Sequence, residues 1–331
     1  MQAQAVLFEK PQQVGFGAVE IPEPGPGELL VANRYTCISP GTELRCLAGL
    51  QANIGDKFPL IPGYAACGEV IQAGPETTLK PGTRVRGNGT QRVKGAHRVW
   101  GGHCSHMVIA ENAVQVVPEG LDLKDAVLCR LAAIAYRGVR LAELQPHHTV
   151  VVIGLGAIGQ FSARLHHACG NHVLGLDQNP KRVDALTAVG IPAKVVAGEP
   201  ADAVNEYFGR GADCVVDATG AAAVIPKAAA CLRELPWMDT PEKGPVFIVQ
   251  GSYPASFEVP YQLFFGHETT IRFPRDCQRS DLETTLRLAS TEHLIMKGMI
   301  TDTLKPQDAT KAYQALQDPL SAHMTIAFDW S

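Results

Sequence analysis

The chain has no long apolar run. Nowhere in its 331 residues does an uninterrupted hydrophobic stretch approach the roughly 20 residues that a membrane-spanning helix needs. The opening segment, MQAQAVLFEK, also lacks the apolar core of a secretory signal peptide. The nine cysteines are odd in number and scattered, with no CxxC pair, which is not the spacing of a disulfide framework. These absences predict reduced thiols and a cytoplasmic protein that does not engage a membrane.

Charge is also sparse. Only 19% of the residues are charged and the net charge is −4, which leaves no basic field to attract nucleic acid. Hydrophobic residues make up 46% of the chain, enough at this length to bury large cores, and the length favours two domains. The composition therefore predicts a soluble globular protein whose partner is a small molecule.

Two different rhythms divide the chain. The first part alternates short apolar segments such as AVLFE, ELLVANRYTCIS and SHMVIAE with turns rich in Pro and Gly, which is typical of β structure. From about Thr149 onward, short apolar strands alternate with helical patterns. This alternation predicts an α/β fold with a doubly wound parallel sheet, combined with a β-rich domain.

The segment VVVIGLGAIG is the most informative one. A β-branched run that predicts a buried strand turns directly into GxGxxG and then into a helical pattern. Gly154 permits the tight turn, Gly156 lets the backbone approach a pyrophosphate, and Gly159 lets the helix lie close to the strand. The free N–H groups at the helix N-terminus favour phosphate, so the pattern predicts a dinucleotide site.

Asp177 ends the next predicted strand, about 20 residues after the first glycine, where an acid binds the ribose hydroxyls and repels a 2′-phosphate. NAD is therefore favoured over NADP. The residues that we expect to contact the cofactor lie in the glycine turn and after the strand ends, namely Gly154, Gly156, Ala157, Ile158, Gly159, Asp177, Gln178, Arg182, Ala218, Thr219, Gln250, Gly251 and Ser252.

Several motifs together resemble the medium-chain dehydrogenase/reductase superfamily. They are PEPGPGELLV, CISPGTE, FPLIPGYAACGEV, LKPGTRV, GLGAIG and VVDATG, spread over nearly the whole chain. The resemblance implies a chaperonin-ten-like (GroES-like) catalytic domain formed by residues 1–130 and 274–331. It also implies a Rossmann NAD-binding domain formed by residues 131–273. We further expect a homodimer.

The sequence departs from the zinc-dependent members of that superfamily. Ser39 stands where a ligand cysteine is expected, Tyr64 and Ala65 replace the His and Glu of a GHE segment, and Arg130 replaces a ligand glutamate. Hydroxyl, phenol and guanidinium groups do not serve as Zn²⁺ ligands. The four-cysteine lobe of a structural zinc is also missing, so the resemblance is to a zinc-independent member without any metal.

A cluster of histidines and a cysteine in GAHRVWGGHCSH leaves a displaced metal site open as an alternative. If HCSHMV forms a strand, however, His103 and Cys104 point to opposite faces, and only Cys104 and His106 share one. Ordinary packing or surface histidines are therefore the favoured interpretation, with His106 kept as a candidate substrate contact.

Catalysis without zinc needs another group that polarises a carbonyl oxygen and carries a proton. By position in the motif, Thr42 resembles the hydroxyl residue of the family's proton relay, and Tyr64 occupies a vacated ligand position. A phenol with a pKa near 10 serves better as a hydrogen-bond donor or acid than as a base. Ser39 and Glu43 are further candidates. The alternatives are that Tyr64 only fills space and that Thr42 is only a turn residue.

The predicted activity is interconversion of a secondary alcohol and a ketone. ISPGTE, PGYAACGEV and the ending DPLSAHMTIAFDW resemble a zinc-lacking branch that includes bacteriochlorophyllide a dehydrogenase. An NADPH-dependent quinone or enone reductase and a non-catalytic nucleotide-binding sensor remain alternatives. The candidate substrate contacts are Tyr64, Trp100, His106 and Tyr253.

Overall fold

The computed structural model describes residues 1–51, 54–55, 57–238, 243–253, 256–318 and 321–331. The chain divides into two compact units. The first comprises Met1–Arg130, Leu286–Thr291 and Gly298–Ser331, and the second comprises Leu131–Thr285 and Glu292–Lys297.

The elements of the described residues are numbered in chain order. The strands are β1 Gln2–Lys10, β2 Gln13–Glu20, β3 Glu28–Cys37, β4 Leu60–Ile61, β5 Ala66–Ala73, β6 Arg84–Gly87, β7 His97–Arg98, β8 His106–Ala110, β9 Gln115–Val116, β10 Thr149–Ile153, β11 His172–Asp177, β12 Ala193–Val195, β13 Cys214–Asp217, β14 Val246–Val249, β15 Thr270–Arg272, β16 Ile300–Leu304 and β17 Thr325–Asp329. The α-helices are α1 Pro40–Leu47, α2 Leu123–Ala126, α3 Cys129–Ala142, α4 Ala157–Ala168, α5 Pro180–Thr187, α6 Pro200–Phe208, α7 Ile225–Ala229, α8 Tyr261–Gly266, α9 Arg279–Ser290 and α10 Ala309–Gln317. Three 3-10 turns are Glu111–Ala113, Ala222–Val224 and Pro306–Asp308.

The first unit is built around β3. Strand β5 pairs antiparallel along one edge of β3, while β8 and β17 pair with successive parts of its other edge. Side chains alternate between its two faces because a strand repeats every two residues. Leu29 and Val31 pack with Val85, whereas Leu30 lies in a separate apolar cluster with Val108. The β-rich pattern of the sequence thus yields a sheet with apolar side chains on both faces.

The end of the chain returns to the first unit. Strand β17 pairs with β3, and α10 buries the face that carries Ala309, Ala312, Tyr313 and Leu316. These residues recur at helical spacing, which makes one apolar stripe. The stripe packs in the same cluster as Phe8, so residues more than 300 positions apart share one core.

The second unit contains a parallel sheet with the strand order β12-β11-β10-β13-β14-β15 within the described residues. This is the order of a doubly wound dinucleotide-binding fold. Val150 and Val152 of β10 pack on one face, and Val151 and Ile153 on the other. Burial on both faces explains why this strand is apolar from Val150 to Ile153. The α/β class expected from the sequence is confirmed.

Helix α9 lies mainly in the second unit, although the sequence places the end of the Rossmann domain at residue 273. Arg140 of α3 forms an ion pair with the buried Asp281 at 2.5 Å, and Arg137 donates a hydrogen bond to Gln278 at 3.4 Å. These polar contacts hold the start of α9 against α3. The second unit therefore extends to Thr285.

No helix formed by the described residues combines the length and the apolar character required to cross a bilayer. All nine cysteines are free thiols.

Candidate active site

The glycine turn between β10 and α4 has the backbone that its motif predicts. Gly154 has φ +88°, in the left-handed region that favours glycine. A Cβ atom on Gly159 would lie 1.8 Å from the carbonyl oxygen of Gly154, so only glycine allows this approach of helix to turn. The first and third glycines are thus required by the fold of the turn.

Gly156 differs from the other two glycines. It caps α4 with an extended backbone, φ −68° and ψ −174°, and a Cβ atom there would meet no atom of the described residues within 4 Å. Ala157 and Ile158 follow in the first turn of α4, whose N–H groups have no partners inside the helix. Open space beside a helix N-terminus is the arrangement that suits a pyrophosphate.

Asp177 lies at the end of β11, next to this turn. Its carboxylate accepts hydrogen bonds from the amides of Leu155, at 2.6 Å, and Asn179, at 2.8 Å. Arg182 Nη1 lies 3.7 Å from Asp177 Oδ2, and the side chain of Gln178 is exposed. The acid therefore braces the glycine turn and lies beside a cation, two features that the sequence spacing does not reveal.

The loops after β13 and β14 lie beside the same turn. A Cβ atom on Gly154 would lie 2.9 Å from Thr219 Cγ2, so Thr219 borders the turn, with Ala218 preceding it. Gly251 lies against Gly220, because a Cβ on Gly251 would be 2.4 Å from the Gly220 nitrogen. Most of the expected cofactor residues thus lie together at the carboxyl ends of the parallel strands.

Gln250 and Asp217, at the carboxyl ends of these strands, have hydrogen-bond partners that the motif does not indicate. Gln250 turns its side chain toward α3 and donates to the carbonyl of Ile134 at 3.1 Å, whereas Ser252 is exposed. Asp217, which the sequence analysis missed, accepts hydrogen bonds from the amide and hydroxyl of Thr219 at 2.9 and 2.7 Å. Burial raises the pKa of Asp217. The sequence feature that could have identified Asp217 is its position, since it is an acid at the end of a buried apolar strand.

Three hydroxyl groups of the first unit meet at Tyr64. Its Oη atom lies 2.5 Å from Ser39 Oγ and 3.2 Å from Thr42 Oγ1. Ser39 precedes α1, and Pro40 occupies the first helical position, where proline is well tolerated. Residues three apart lie on one face at a helix start, so Ser39 and Thr42 both reach the phenol. Thr42 is helical rather than a turn residue.

Tyr64 is held as a protonated phenol. Burial raises its pKa to about 12, and the charge of Glu43 acts in the same direction, while the hydrogen bonds with Ser39 and Thr42 lower it. The ring packs edge-on against Trp100 with centroids 4.9 Å apart. Because the phenol keeps its proton near neutral pH, Tyr64 is a donor or an acid.

Glu43 is a fully buried carboxylate behind this cluster. Its Oε1 atom accepts from the Ser39 amide at 2.7 Å. Its Oε2 atom accepts from the Tyr313 hydroxyl at 2.5 Å and lies 2.8 Å from His103 Nε2. Glu43 therefore fixes the start of α1, and with it the hydroxyl of Ser39.

The network continues to the C-terminal segment of the first unit. Trp330 Nε1 donates to Thr36 Oγ1 at 3.0 Å, and that oxygen lies 2.8 Å from His103 Nδ1. An indole N–H only donates. One donor order satisfies all of these atoms: Trp330 to Thr36, the Thr36 hydroxyl to His103 Nδ1, and His103 Nε2–H to Glu43.

The histidine segment differs from the expected strand. Strand β8 begins at His106, so the alternation argument does not apply to His103, which lies before the strand. His103 is fully buried with both ring nitrogens engaged. Burial lowers the pKa of His106, whose Nδ1 lies 2.9 Å from Ser105 Oγ. Within the described ranges, no three His, Cys, Asp or Glu side chains lie close enough to hold a metal ion.

The candidate substrate contacts are distributed over both units. Trp100 and His106 belong with Tyr64 to the first unit, and Trp100 directly contacts Tyr64. Tyr253 belongs to the second unit, where its hydroxyl lies 3.4 Å from the carbonyl oxygen of Asp217. Burial raises the pKa of Tyr253, so this hydroxyl is also a donor.

Comparison with known proteins adds independent findings. Residues 25–119 match the family described as the alcohol dehydrogenase GroES-like domain. The chain is 30% identical to the 2-desacetyl-2-hydroxyethyl bacteriochlorophyllide A dehydrogenase of Rhodobacter capsulatus, in an alignment that covers 100% of this chain and 99% of that protein. This likeness spans both units.

Solved structures share the fold. A short chain alcohol dehydrogenase from Escherichia coli CFT073, complexed with cofactor NADH, is similar with a TM-score of 0.84 at 19% identity, over 99% of each chain. A protein described as a zinc-binding dehydrogenase from Sinorhizobium meliloti 1021, bound to NADP, is similar with a TM-score of 0.84 at 21% identity, also over 99% of each chain. At these identities the likeness concerns the fold.

Proposed function

Because the chain belongs to the medium-chain dehydrogenase/reductase superfamily, we propose that it interconverts a secondary alcohol and a ketone with NAD and without zinc. It is an oxidoreductase of the alcohol dehydrogenase type. The observation that supports the finer proposal is the hydroxyl cluster of Ser39, Thr42 and Tyr64, in which the Tyr64 hydroxyl contacts both other hydroxyls. The hydroxyethyl group in the name of the Rhodobacter relative agrees with a secondary alcohol as substrate.

The residues of the second unit fit a dinucleotide. The open space at Gly156 and the first-turn N–H groups of α4 suit the pyrophosphate, and the Asp177 carboxylate suits ribose hydroxyls. The same carboxylate repels a 2′-phosphate, which supports NAD over NADP. When bound, the nicotinamide ring accepts or supplies a hydride.

The residues at the family's metal position do not fit Zn²⁺. Ser39, Tyr64 and Arg130 offer a hydroxyl, a phenol and a guanidinium, whereas zinc takes thiolate, imidazole or carboxylate. The buried carboxylate Glu43 already contacts three protein groups, the Ser39 amide, the Tyr313 hydroxyl and His103 Nε2. A zinc-free reaction is therefore proposed, in which protein hydrogen bonds hold the substrate oxygen.

Tyr64 would hold the substrate oxygen and give it a proton during ketone reduction. The Ser39 hydroxyl orients the phenol by accepting its hydrogen bond. Glu43 holds the Ser39 backbone in place, because its carboxylate accepts a hydrogen bond from the Ser39 amide. Thr42 provides the second hydroxyl through which the proton is replaced. Trp100 would supply an apolar wall beside the phenol, with His106 and Tyr253 as further substrate contacts.

We also propose a cytoplasmic homodimer. Strand β15 is an edge of the parallel sheet among the described residues, and edge strands readily pair with another chain. Exposed aromatic side chains follow it or lie near it in the chain, with Phe273 60% exposed and Phe265 53% exposed. Light scattering after gel filtration tests this part: twice the mass of one chain supports the dimer, and a single-chain mass contradicts it.

Cofactor-dependent turnover tests the function. The purified protein is mixed with NAD and a panel of secondary alcohols, and with NADH and the matching ketones, after treatment with a strong chelator and elemental analysis. We expect alcohol oxidation without stoichiometric zinc. Reduction of enones or quinones with NADPH alone, or activity lost together with one zinc per chain, would contradict the proposal.

Ligand stabilisation supplies a readout that needs no substrate. A ligand at a hundred times its Kd adds about 2.7 kcal/mol to the free energy of unfolding. NAD should therefore raise the melting temperature more than NADP at equal concentration. Binding of NAD without turnover of any alcohol would favour a sensor instead.

A further inference from the structure

Arg130 is a buried cation beside the hydroxyl cluster. It is the second residue of α3 and the last of the first unit, and only 4% of it is exposed. Its Cζ atom lies 5.1 Å from the centre of the Tyr64 ring, which is within the range of a cation–π contact. The guanidinium thus contacts the one phenol that we propose as the proton donor.

The other charged or titratable groups around Tyr64, namely Glu43, His103 and Arg86, make different contacts from that of Arg130 over the ring. Glu43, on α1, is a carboxylate and opposes ionisation of the phenol. His103 lies between Glu43 and Thr36. Arg86, on β6, donates to Gln115 at 2.8 Å and to the Tyr64 carbonyl at 3.3 Å. Arg130 is therefore the cation that lies over the phenol ring itself.

Ionisation of Tyr64 is the difficult part of the proposed reaction. When the phenol gives up its proton, a negative charge appears in a buried site that already holds Glu43. Burial penalises that charge. Arg130 acts in the opposite direction, since its positive charge lowers the pKa of Tyr64. A cation within about 6 Å of the ring is attracted more strongly once the ring becomes a phenolate.

We propose that Arg130 replaces the metal's positive charge, stabilising the tyrosinate that Tyr64 becomes when its proton passes to the substrate oxygen. This inference rests on the proposed function. In ketone reduction, the Oη–H bond of Tyr64 breaks and an O–H bond forms on the carbonyl oxygen, while the carbonyl carbon takes its hydride from the reduced dinucleotide. Tyr64 then regains a proton from solvent through Thr42. Alcohol oxidation reverses these steps.

The role is that of a positioning residue, because Arg130 acts through Tyr64. It also accounts for a feature that zinc loss alone leaves unexplained, namely a cation at a position where the family has a ligand carboxylate. A neutral apolar residue would fill the same space, but it would leave the phenolate charge uncompensated.

Direct titration of residue 64 tests the inference without turnover. A ring-fluorinated tyrosine is introduced at position 64 of the full chain, which moves its ionisation into the range where the protein stays folded. Phenolate absorbance is then followed against pH. We expect Arg130→Gln to raise the midpoint by about one pH unit or more, as expected for removal of a charge at this distance.

Arg164→Gln is the matched control. Arg164 is 2% exposed, belongs to the second unit and donates to the carbonyls of Ile295 and Lys297 of the same unit. It should leave the midpoint unchanged. Arg130→Lys keeps the charge on a different shape and should raise the midpoint less than Arg130→Gln, and it remains informative if the neutral variant does not fold.

The kinetic counterpart is ketone reduction by the unmodified tyrosine enzyme. We expect Arg130→Gln to lower kcat at least tenfold, with unchanged affinity for NADH, and to move the ascending limb of the pH profile of alcohol oxidation to higher pH, because Tyr64 must be ionised to accept the alcohol proton. A midpoint of residue 64 that moves in neither Arg130 variant overturns the inference. If no carbonyl compound is reduced but the midpoint moves as expected, the pairing stands and the proposed function fails.

Discussion

Glu43 Oε2 lies 2.8 Å from His103 Nε2, and neither side chain is accessible to solvent. The pair joins α1 to the segment before β8. Because Glu43 also accepts from the Ser39 amide and the Tyr313 hydroxyl, one carboxylate ties the hydroxyl cluster to the C-terminal segment of the first unit. Burial of a charge is tolerated when hydrogen-bond donors surround it, as they do here.

Glu43→Gln should destabilise the first unit. The oxygen of the new glutamine side chain can still accept from the Ser39 amide. Its NH₂ group, however, would face the Tyr313 hydroxyl, which needs an acceptor. Breaking a buried pair in this way costs about 3 kcal/mol of unfolding free energy. Urea denaturation followed by tryptophan fluorescence measures the loss, since Trp100 and Trp330 lie in the first unit.

Glu206→Gln is the control for that substitution. Glu206 forms an exposed ion pair with Lys194 on the second unit, and such pairs contribute little. Equal stability of the Glu43→Gln and Glu206→Gln variants would show that the Glu43 network is not structurally important.

The sequence revealed the local parts of the site and missed the distant ones. The motif GLGAIG predicted the turn between β10 and α4 correctly, because a tight strand-to-helix turn requires glycine at fixed nearby positions. Ser39 and Tyr64 were found through their places in family motifs. Tyr313 and Trp330 carry no such signal, since their contacts to Glu43 and Thr36 arise only when the chain end pairs with β3. The contact of α9 with α3 carries no local signal either, because it depends on the ion pair between Arg140 and Asp281.

The three glycines of the turn should respond differently to substitution. Gly156→Val introduces a side chain into open space with an extended backbone that valine adopts readily, so the protein should fold and lose NAD binding. Gly159→Ala should instead destabilise the second unit, because its Cβ would meet the Gly154 carbonyl. Calorimetry for NAD and thermal melts separate the two effects. Normal NAD binding by Gly156→Val would mean that the pyrophosphate does not lie there.

Asp177 should set the choice of cofactor. We expect NAD to bind at least tenfold more tightly than NADP, a difference of about 1.4 kcal/mol. Asp177→Asn keeps the shape and the acceptor for the Leu155 amide but removes the charge, so it should narrow that ratio mainly by improving NADP binding. Equal affinities in the unmodified protein would indicate that Arg182, 3.7 Å from Asp177, receives a phosphate.

His166 should make the second unit sensitive to acid. Burial lowers the pKa of His166 from 6.5 to about 4, against a smaller opposing effect of the hydrogen bond to Asn171. The unfolded chain therefore binds a proton that the folded chain refuses between these values. Stability is fully present above pH 6.5 and is lost as the pH falls toward 4.

The measurement compares unfolding free energies of wild type and His166→Gln across that pH range. The wild type should lose up to about 1.4 kcal/mol more per pH unit than the variant. His97→Gln, a change at an exposed position of β7, should leave the pH dependence as it is. Parallel curves for wild type and His166→Gln would mean that the folded and unfolded chains bind the His166 proton equally well, so that burial does not lower its pKa.

Tyr64 and Thr42 should act on one proton. If Tyr64 gives its proton to the substrate oxygen and Thr42 replaces it, Tyr64→Phe and Thr42→Val should each lower kcat by roughly 10²-fold or more, with NAD affinity unchanged. The double variant should be little worse than either single one, because both remove the same path. Tyr207→Phe, which removes a partly exposed hydroxyl from the second unit, is the matched control and should keep full activity. Full turnover by Tyr64→Phe would leave Tyr64 as a space-filling aromatic residue and make the Ser39 hydroxyl, which lies 2.5 Å from the Tyr64 oxygen, the better candidate to hold the substrate.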